Sequence, residues 1–298
     1  MKAVIYNQYG PPEVLQLQEV EKPIPRKNEI LIKVKATAVN TADVRIRKAD
    51  PQLVRLFFGL FRPGKKILGL VFSGEVVALG QDVKRFHIGD QVFGSTGMRF
   101  GANAEFVCLP EKGKILIKPA EISHEEAAGL PFGGITAIHY LKKAGIRQGQ
   151  KVLIYGASGA TGTAAVQIAK HFGAGVTGFT STRNFTMVKS IGADEVIDYN
   201  KEAVTDRGKK FDIIFDTVGK TSFAKCKNAL APGGKFVTVN KGLARTNMAD
   251  LEFLSALTAS GEYKVIIDKF YTLDQMAEAH RHVDTGHKKG NVIIRVSY

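Results

Sequence analysis

The sequence predicts an α/β chain, a doubly wound parallel sheet joined to a second, mainly β domain. Three observations carry this. From 151 to about 240, strand-like and helix-like segments alternate. The first of these strands runs into its helix through a glycine-rich turn, "GASGATG" at 156–162. The first third of the chain instead holds closely spaced β-rich segments broken by Gly and Pro.

In order, "AVIYN" (3–7), "EILIKVKATAVN" (29–40), "GLVFSGEVVALG" (69–80) and "DQVFGS" (90–95) read as strands, separated by "GPP", "KPIP" and "GD" turns. Near Ser123 the pattern changes. "SHEEAAGLPFGGITAIHYLKKAG" has a Ser cap, acids in its first turn and helical apolar spacing, and Pro131 with Gly133-Gly134 is expected to break it. The alternating region then gives strand 151–155, helix 160–172, strand 175–179, helix 183–191, strand 195–199, strand 211–217, helix 221–230 and the strand "GKFVTV". Apolar strands in repeated β-α units imply a sheet covered on both faces. After about 265 come a strand, the helix "LDQMAEAHRHVDTG" and the strand "NVIIRV", with no internal repeat or low-complexity segment anywhere.

Composition bounds the function classes. The 298 residues are 44% hydrophobic and 23% charged, ordinary values for a globular protein. Lys2 is followed by a strand pattern rather than an apolar h-region, so a secretory signal is not expected. The greasiest stretch, "LVRLFFGLF" (53–61), contains Arg55 and is too short to span a bilayer, which argues against integral membrane association. Cys108 and Cys226 lie far apart without a C-x-x-C, so neither a disulfide framework nor a cysteine zinc site is supported, and a cytoplasmic setting is expected. The net charge of +14 favours anionic partners. Its Lys and Arg are scattered rather than blocked, so nucleic acid is not the expected partner.

Gly156, Gly159 and Gly162 form G-x-x-G-x-x-G between a strand and a helix. The first glycine permits the tight turn, the second lets backbone approach a pyrophosphate, and the third lets helix and strand pack closely. The free N–H groups of the helix start then face the anion, which makes 156–162, with Ser158, Ala160 and Thr161, a dinucleotide cradle. A merely structural turn is the alternative. NAD-binding chains usually place a carboxylate at the end of the second strand, for the ribose 2′-hydroxyl. Here that end reads "GFTSTRNF", and no carboxylate occurs between Glu126 and Asp194. Thr180, Ser181 and Arg183 suit a 2′-phosphate instead, which selects NADP(H). Alternatively, Arg183 is a surface residue of the next helix.

These residues resemble the medium-chain dehydrogenase/reductase superfamily, and within it the zinc-lacking quinone oxidoreductase branch. The matching stretches are "VNTADVRIRKAD", "GLVFSGEVVALG", "GDQVFG", "LPFGGITA", "GASGATGTAAVQIAK", "STRN", "GADEVIDY", "FDTVG", "PGGKFVTV" and "GHKKGNVIIRV", in family order over nearly the whole chain. The resemblance implies a GroES-like catalytic domain, 1–122 completed by 265–298, and a Rossmann NADP-binding domain over 123–264. It implies that Asn40 and Thr136 sit beside the nicotinamide ribose and carboxamide, with Asp43 in the same loop. It also implies that Tyr199 lies near the adenosine phosphate, and that Thr217, Val218, Gly219, Val239, Asn240 and Asn291 line the nicotinamide side. For Asn40 and Asp43 the alternative is Asx-turn chemistry at a strand end.

The family's alcohol dehydrogenases hold catalytic zinc through a Cys where this chain has Asn40, and through His-Glu where it has Leu70-Val71. Neither substitute is a zinc ligand. His280 and His282 lie two apart in a predicted helix and point to different faces. The implied activity is therefore metal-free hydride transfer from NADPH to a quinone or activated enone, a small apolar electrophile. The alternatives are a 2-alkenal or alkene reductase, or a non-catalytic NADPH- or polyanion-binding protein. Enoyl-thioester reductases of the superfamily carry a proton-donating Tyr in the loop where this chain has "PQLVRLFFGLFRPGKK", without tyrosine. Phe57, Phe58, Leu60 and Phe61 there read as core packing, as an apolar substrate wall, or as a membrane-touching patch beside Arg62, Lys65 and Lys66. Between "VTVNKGLARTN" and "MADLEFL" the chain is shorter than the family pattern, which carries a strand-containing, dimer-forming segment there; a homodimer is thus an open expectation.

Overall fold

A computed structural model describes residues 1–206, 208–242, 244 and 247–296. The chain forms two compact units, Met1–Phe132 with Ile267–Tyr298, and Gly133–Ile266.

The first unit contains β1 (Lys2–Ile5), β2 (Gln16–Glu19), β3 (Glu29–Val39), α1 (Thr41–Lys48), α2 (Val54–Phe58), β4 (Val71–Leu79), β5 (Gln91–Ser95), β6 (Phe106–Pro110) and β7 (Lys114–Ile117). α3 (His124–Ala144) carries the chain into the second unit. There β8 (Lys151–Tyr155), α4 (Ala160–His171), β9 (Gly175–Thr180), α5 (Phe185–Ser190), β10 (Glu195–Asp198), β11 (Phe211–Asp216), α6 (Phe223–Cys226), β12 (Leu230–Thr238) and α7 (Met248–Ala259) follow. β13 (Ile267–Thr272), α8 (Met276–Asp284) and β14 (Asn291–Arg295) return to the first.

In the first unit a seven-stranded sheet runs β13-β14-β3-β4-β5-β7, with β6 also on β3. Ile30, Ile32, Val34, Phe72, Val76, Val92 and Ile115 fill one core of it. Val44 of α1 and Met276 and Val283 of α8 bury their apolar faces with Val39, Val292 and Ile294 in another. The C-terminal strand is bound in place antiparallel, with Val292 opposite Val39.

In the second unit five parallel strands run β10-β9-β8-β11-β12, so the strand order reverses between β8 and β11. Leu153, Phe179, Ile197, Phe211 and Ile214 form a core of this sheet. This is the doubly wound arrangement expected from the alternating segments.

Three expectations are corrected. α3 is one 21-residue helix with Pro131 inside it. Pro131 removes a single N–H, and the two glycines supply space rather than a break. A Cβ on Gly133 would meet the Ala160 carbonyl oxygen at 2.6 Å, and one on Gly134 would meet Leu254 at 2.8 Å. Lys142 of α3 also pairs with Asp250 of α7. The helix expected over 221–230 is a single α turn, α6, plus a 3₁₀ turn, because β12 already begins at Leu230. Core packing fails for much of 53–61: Leu53, Leu56, Phe57, Leu60 and Phe61 are exposed. Only Phe58 and Val54 turn inward, onto the core that holds Phe100. The shortened stretch before α7 includes residues 243, 245 and 246, which lie outside the described residues.

Candidate coenzyme-binding site

Parallel pairing sets the carboxyl ends of the second unit's strands on one edge. Asp216 is level with both Tyr155 and Thr238, Tyr155 with Phe179, and Asp198 with Thr180. That register brings together Gly156, Thr180 and Ser181, Tyr199, Thr217–Gly219, and Val239 with Asn240. Ligands of open α/β sheets sit outside this edge, at the point where strand order reverses. Gly156 after β8 and Thr217 after β11 flank that point.

The glycine turn has three different constraints. Gly156 has φ +83°, and a Cβ there would meet Val218 at 2.7 Å. A Cβ on Gly162 would meet the Gly156 carbonyl oxygen at 2.0 Å, so α4 lies directly on the turn. Gly159 differs: the nearest atom to an added Cβ is the Gly156 carbonyl oxygen at 3.7 Å, an ordinary contact, so no protein atom crowds that side of the turn. Gly159 is the N-cap of α4 without a side-chain cap, followed by Ala160, Thr161 and Gly162 of the first turn, whose N–H groups lack intrahelical acceptors. A backbone cradle kept clear in this way fits a diphosphate. Gly133 of α3 packs against the Ala160–Thr161 backbone, and Thr136 lies one turn further along the same helix face. Ser158 lies inside the turn.

Asp216, which motif reading passed over, organises the neighbouring loop. Buried at the end of β11, its carboxylate accepts the Val218 N–H at 3.1 Å, the Gly219 N–H at 2.9 Å and the Thr238 hydroxyl at 3.1 Å. The Thr217 hydroxyl donates to the Tyr155 carbonyl at 2.8 Å, tying this loop to the glycine turn. Gly219 has φ +73°, and the Asn240 amide donates to its carbonyl at 2.8 Å. The signal was a carboxylate at a strand end followed by a Gly turn, "FDTVG".

At the end of β9, Thr180 is fully buried and Ser181 nearly so. The Asn184 amide donates to the Ser181 hydroxyl at 3.1 Å, and Arg183 is exposed beside them. A carboxylate does reach this corner from the next strand: Asp198 accepts from the Thr182 hydroxyl and, at 2.9 Å, from the Asn200 N–H. Chiefly the Thr182 hydrogen bond holds its carboxyl below the usual range. Asp198 is thus occupied by loop donors. Its neighbour Tyr199 is partly exposed, its ring 6.2 Å from that of Phe179.

In the first unit, Asn40 ends β3 and caps α1. Its side-chain oxygen accepts the Ala42 N–H at 2.9 Å. Asp43 accepts the Asn40 N–H at 3.1 Å and the Gly69 N–H at 3.3 Å. Asp43 is wholly buried, and burial pushes its carboxyl up to about 7 against those two backbone hydrogen bonds. The Asn40 amide nitrogen is buried with no protein partner. The Val292–Val39 pairing places Asn291 beside Asn40 at the sheet end. His280 is buried and His282 bonds Asp268 at 2.7 Å, so the two histidines diverge. Among the described residues no group of three or more His, Cys, Asp or Glu side chains is placed to hold a metal ion.

Comparison with known proteins identifies the family. Residues 26–120 match the family described as alcohol dehydrogenase GroES-like domain, and residues 160–278 the family described as zinc-binding dehydrogenase. A 2-methylene-furan-3-one reductase of Solanum lycopersicum is 33% identical over 314 residues, covering 99% of this chain and 79% of that protein. An NADPH-dependent alkenal/one oxidoreductase of Arabidopsis thaliana is 30% identical, with the same 99% and 79% coverage. The solved structure of a quinone oxidoreductase from Coxiella burnetii is 30% identical with a TM-score of 0.87, covering 100% of this chain and 99% of that one.

Proposed function

Because the chain belongs to the quinone oxidoreductase branch of the medium-chain dehydrogenase/reductase superfamily, we propose that it is an NADPH-dependent oxidoreductase reducing a quinone or activated enone without metal. The observation that carries this is the open backbone cradle at Gly159, beside a β9 end that offers Ser181 and Arg183. NADPH supplies hydride at its nicotinamide when bound.

The chain's own residues hold, orient and shield. The N–H groups of Ala160, Thr161 and Gly162 receive the diphosphate, with Gly156 and Ser158 shaping the turn. Ser181 and Arg183 receive the 2′-phosphate, and Thr180 sets their loop. Tyr199 lies at the adenosine side. The family resemblance assigns Thr217, Val218, Gly219, Val239, Asn240 and Asn291 to the nicotinamide side and Thr136 to the carboxamide. Asn40 offers its unpartnered amide N–H to the nicotinamide ribose, and Asp43 holds Asn40 in that orientation. A quinone or enone delocalises the incoming charge, so positioning and electrostatics suffice at the protein's end. The catalytic domain is assigned to 1–122 with 265–298, and the coenzyme domain to 123–264.

A second reading, reduction of 2-alkenals or enones ahead of quinones, is favoured by the names of the Solanum and Arabidopsis relatives. Loss of the reduced-nicotinamide absorbance with NADPH against quinones, enals and alcohols separates the two. Turnover of quinones supports the first, turnover of enals alone the second, and zinc-dependent turnover of alcohols alone overturns both. The proposal extends to a cytoplasmic setting, where the thiols of Cys108 and Cys226 would stay reduced. It also extends to a homodimer, tested by light scattering. No helix among the described residues is long and apolar enough to cross a membrane.

A further inference from the structure

The segment around α2 is built to hold large apolar side chains in water. Gly59 has φ +124°, and a Cβ there would strike the Arg62 carbonyl oxygen at 2.1 Å, so the chain after α2 doubles back tightly. The Gly64 N–H closes that turn on the Phe58 carbonyl at 2.7 Å. The Tyr9 hydroxyl donates to the Gly59 carbonyl at 2.8 Å, and the Arg55 guanidinium lies over the Tyr9 ring. Phe58 anchors the segment, its ring 5.6 Å from that of Phe100. On this scaffold Phe57 is 79% and Phe61 88% exposed, with Leu53, Leu56 and Leu60 each more than half exposed. Single exposed apolar residues need no explanation, but five within nine positions form a patch.

Charge identifies what covers it. Arg55, Arg62, Lys65 and Lys66 are exposed around these residues, Lys48 being paired with Asp284, and Asp50 is the only carboxylate between 44 and 74. The whole chain carries +14. An apolar protein partner would leave this basic rim unmatched, whereas phenylalanines and leucines ringed by Lys and Arg match an anionic bilayer surface. There the apolar tips enter the acyl boundary while the cations stay at the headgroups. We propose that the 53–66 segment is a peripheral docking site for anionic lipid membranes. Neither spanning nor lipid attachment is involved.

The full-length protein is mixed with phosphatidylcholine vesicles containing roughly one-third phosphatidylserine, and with phosphatidylcholine vesicles alone, and bound protein is measured by flotation. Binding is expected to the anionic vesicles, with weakening as salt rises. Each basic residue near such a surface strengthens binding roughly fivefold, so R62Q/K65Q/K66Q is expected to weaken it on the order of a hundredfold. F57S/F61S is expected to weaken it at least tenfold and to leave residual binding that is wholly salt-sensitive. Both variants alter exposed side chains, and unchanged melting temperatures confirm folding. Absence of wild-type binding at low salt overturns the proposal, as does equal binding to both vesicle types. Unaltered binding in the two variants also overturns it. So does a wild-type dimer that F57S/F61S dissociates while vesicle binding stays intact, since a second copy would then be the occupant.

Discussion

Asn40 and Asp43 cap one helix reciprocally. The Asn40 amide oxygen accepts the Asp43 N–H at 3.3 Å, and the Asp43 carboxylate accepts the Asn40 N–H at 3.1 Å. That arrangement consumes the oxygen of Asn40 and leaves its amide nitrogen without a partner. Asn40→Ser keeps an N-cap acceptor while deleting that donor, so stability is expected to stay within about 1 kcal/mol of wild type. Turnover with NADPH is expected to fall about tenfold or more, the cost of one lost hydrogen bond at the reacting end. Thermal melts beside steady-state rates check this; an unchanged kcat/KM removes the proposed role of the amide.

Two buried groups of the first unit make opposite contributions to pH dependence. Asp43 titrates at about 7 in the folded chain. Between about 4 and 7 the folded state therefore keeps a proton that the unfolded state has lost, and stability falls as pH rises. His280, buried against Arg47, is pushed down to about 3, chiefly by burial. Between about 3 and 6.5 the unfolded state binds a proton the folded state refuses, and stability rises with pH. Over the shared window, about 4 to 6.5, the two slopes oppose each other. Asp43→Asn is expected to unmask the rise and His280→Leu the fall, each by up to roughly 3 kcal/mol across the window. Denaturant titrations at a series of pH values test this, and parallel curves for all three proteins refute it.

The doubly wound sheet was legible because each of its strands is a short apolar run, such as "KVLIY" or "FDIIF", ending in Gly, Thr or Asp. The glycine turn at 156–162 and the hydroxyls at 180–181 were legible from their places after two of those strands, whereas Thr217 was reached only through the family resemblance, and the register that sets all three on one edge is seen in the structure. What escaped was set by distant partners. Pro131 and Gly133-Gly134 carry local helix-breaking signals, whereas the contacts that use them come from Ala160 and Leu254. Asp216 looked like an ordinary strand residue, because its acceptors serve backbone on β11's own loop and a hydroxyl on β12. The apolar character of 53–61 was plain, but composition does not say which side of a turn faces solvent.

Arg183 and Asp198 stand on either side of the coenzyme preference. Asp198 is held by Thr182 and Asn200, leaving the β9 end to a cation and hydroxyls. Arg183→Ala is expected to weaken NADPH binding by roughly tenfold to a hundredfold while leaving NADH nearly unchanged, the range for one charge-assisted contact. Fluorescence titration of both coenzymes gives the ratio. Equal losses for both would assign Arg183 to the surface alone.

Gly159 and Gly162 separate ligand space from packing within one turn. A methyl group at 162 has only 2.0 Å to the Gly156 carbonyl oxygen, a backbone atom that cannot move without displacing β8 from α4. Gly162→Ala is therefore expected to destabilise the coenzyme domain by several kcal/mol, comparable to severe overpacking. At 159 the same methyl has 3.7 Å of clearance, and the backbone is extended, at φ −78° and ψ 174°, which any residue adopts. Gly159→Ala is expected to melt within about 1 kcal/mol of wild type. Its NADPH affinity is expected to fall by at least tenfold, because the methyl occupies the approach to the N–H groups of Ala160 and Thr161. Melting curves and coenzyme titrations on both variants distinguish the roles. A folded Gly159→Ala with full affinity would mean that the space above this turn receives no diphosphate.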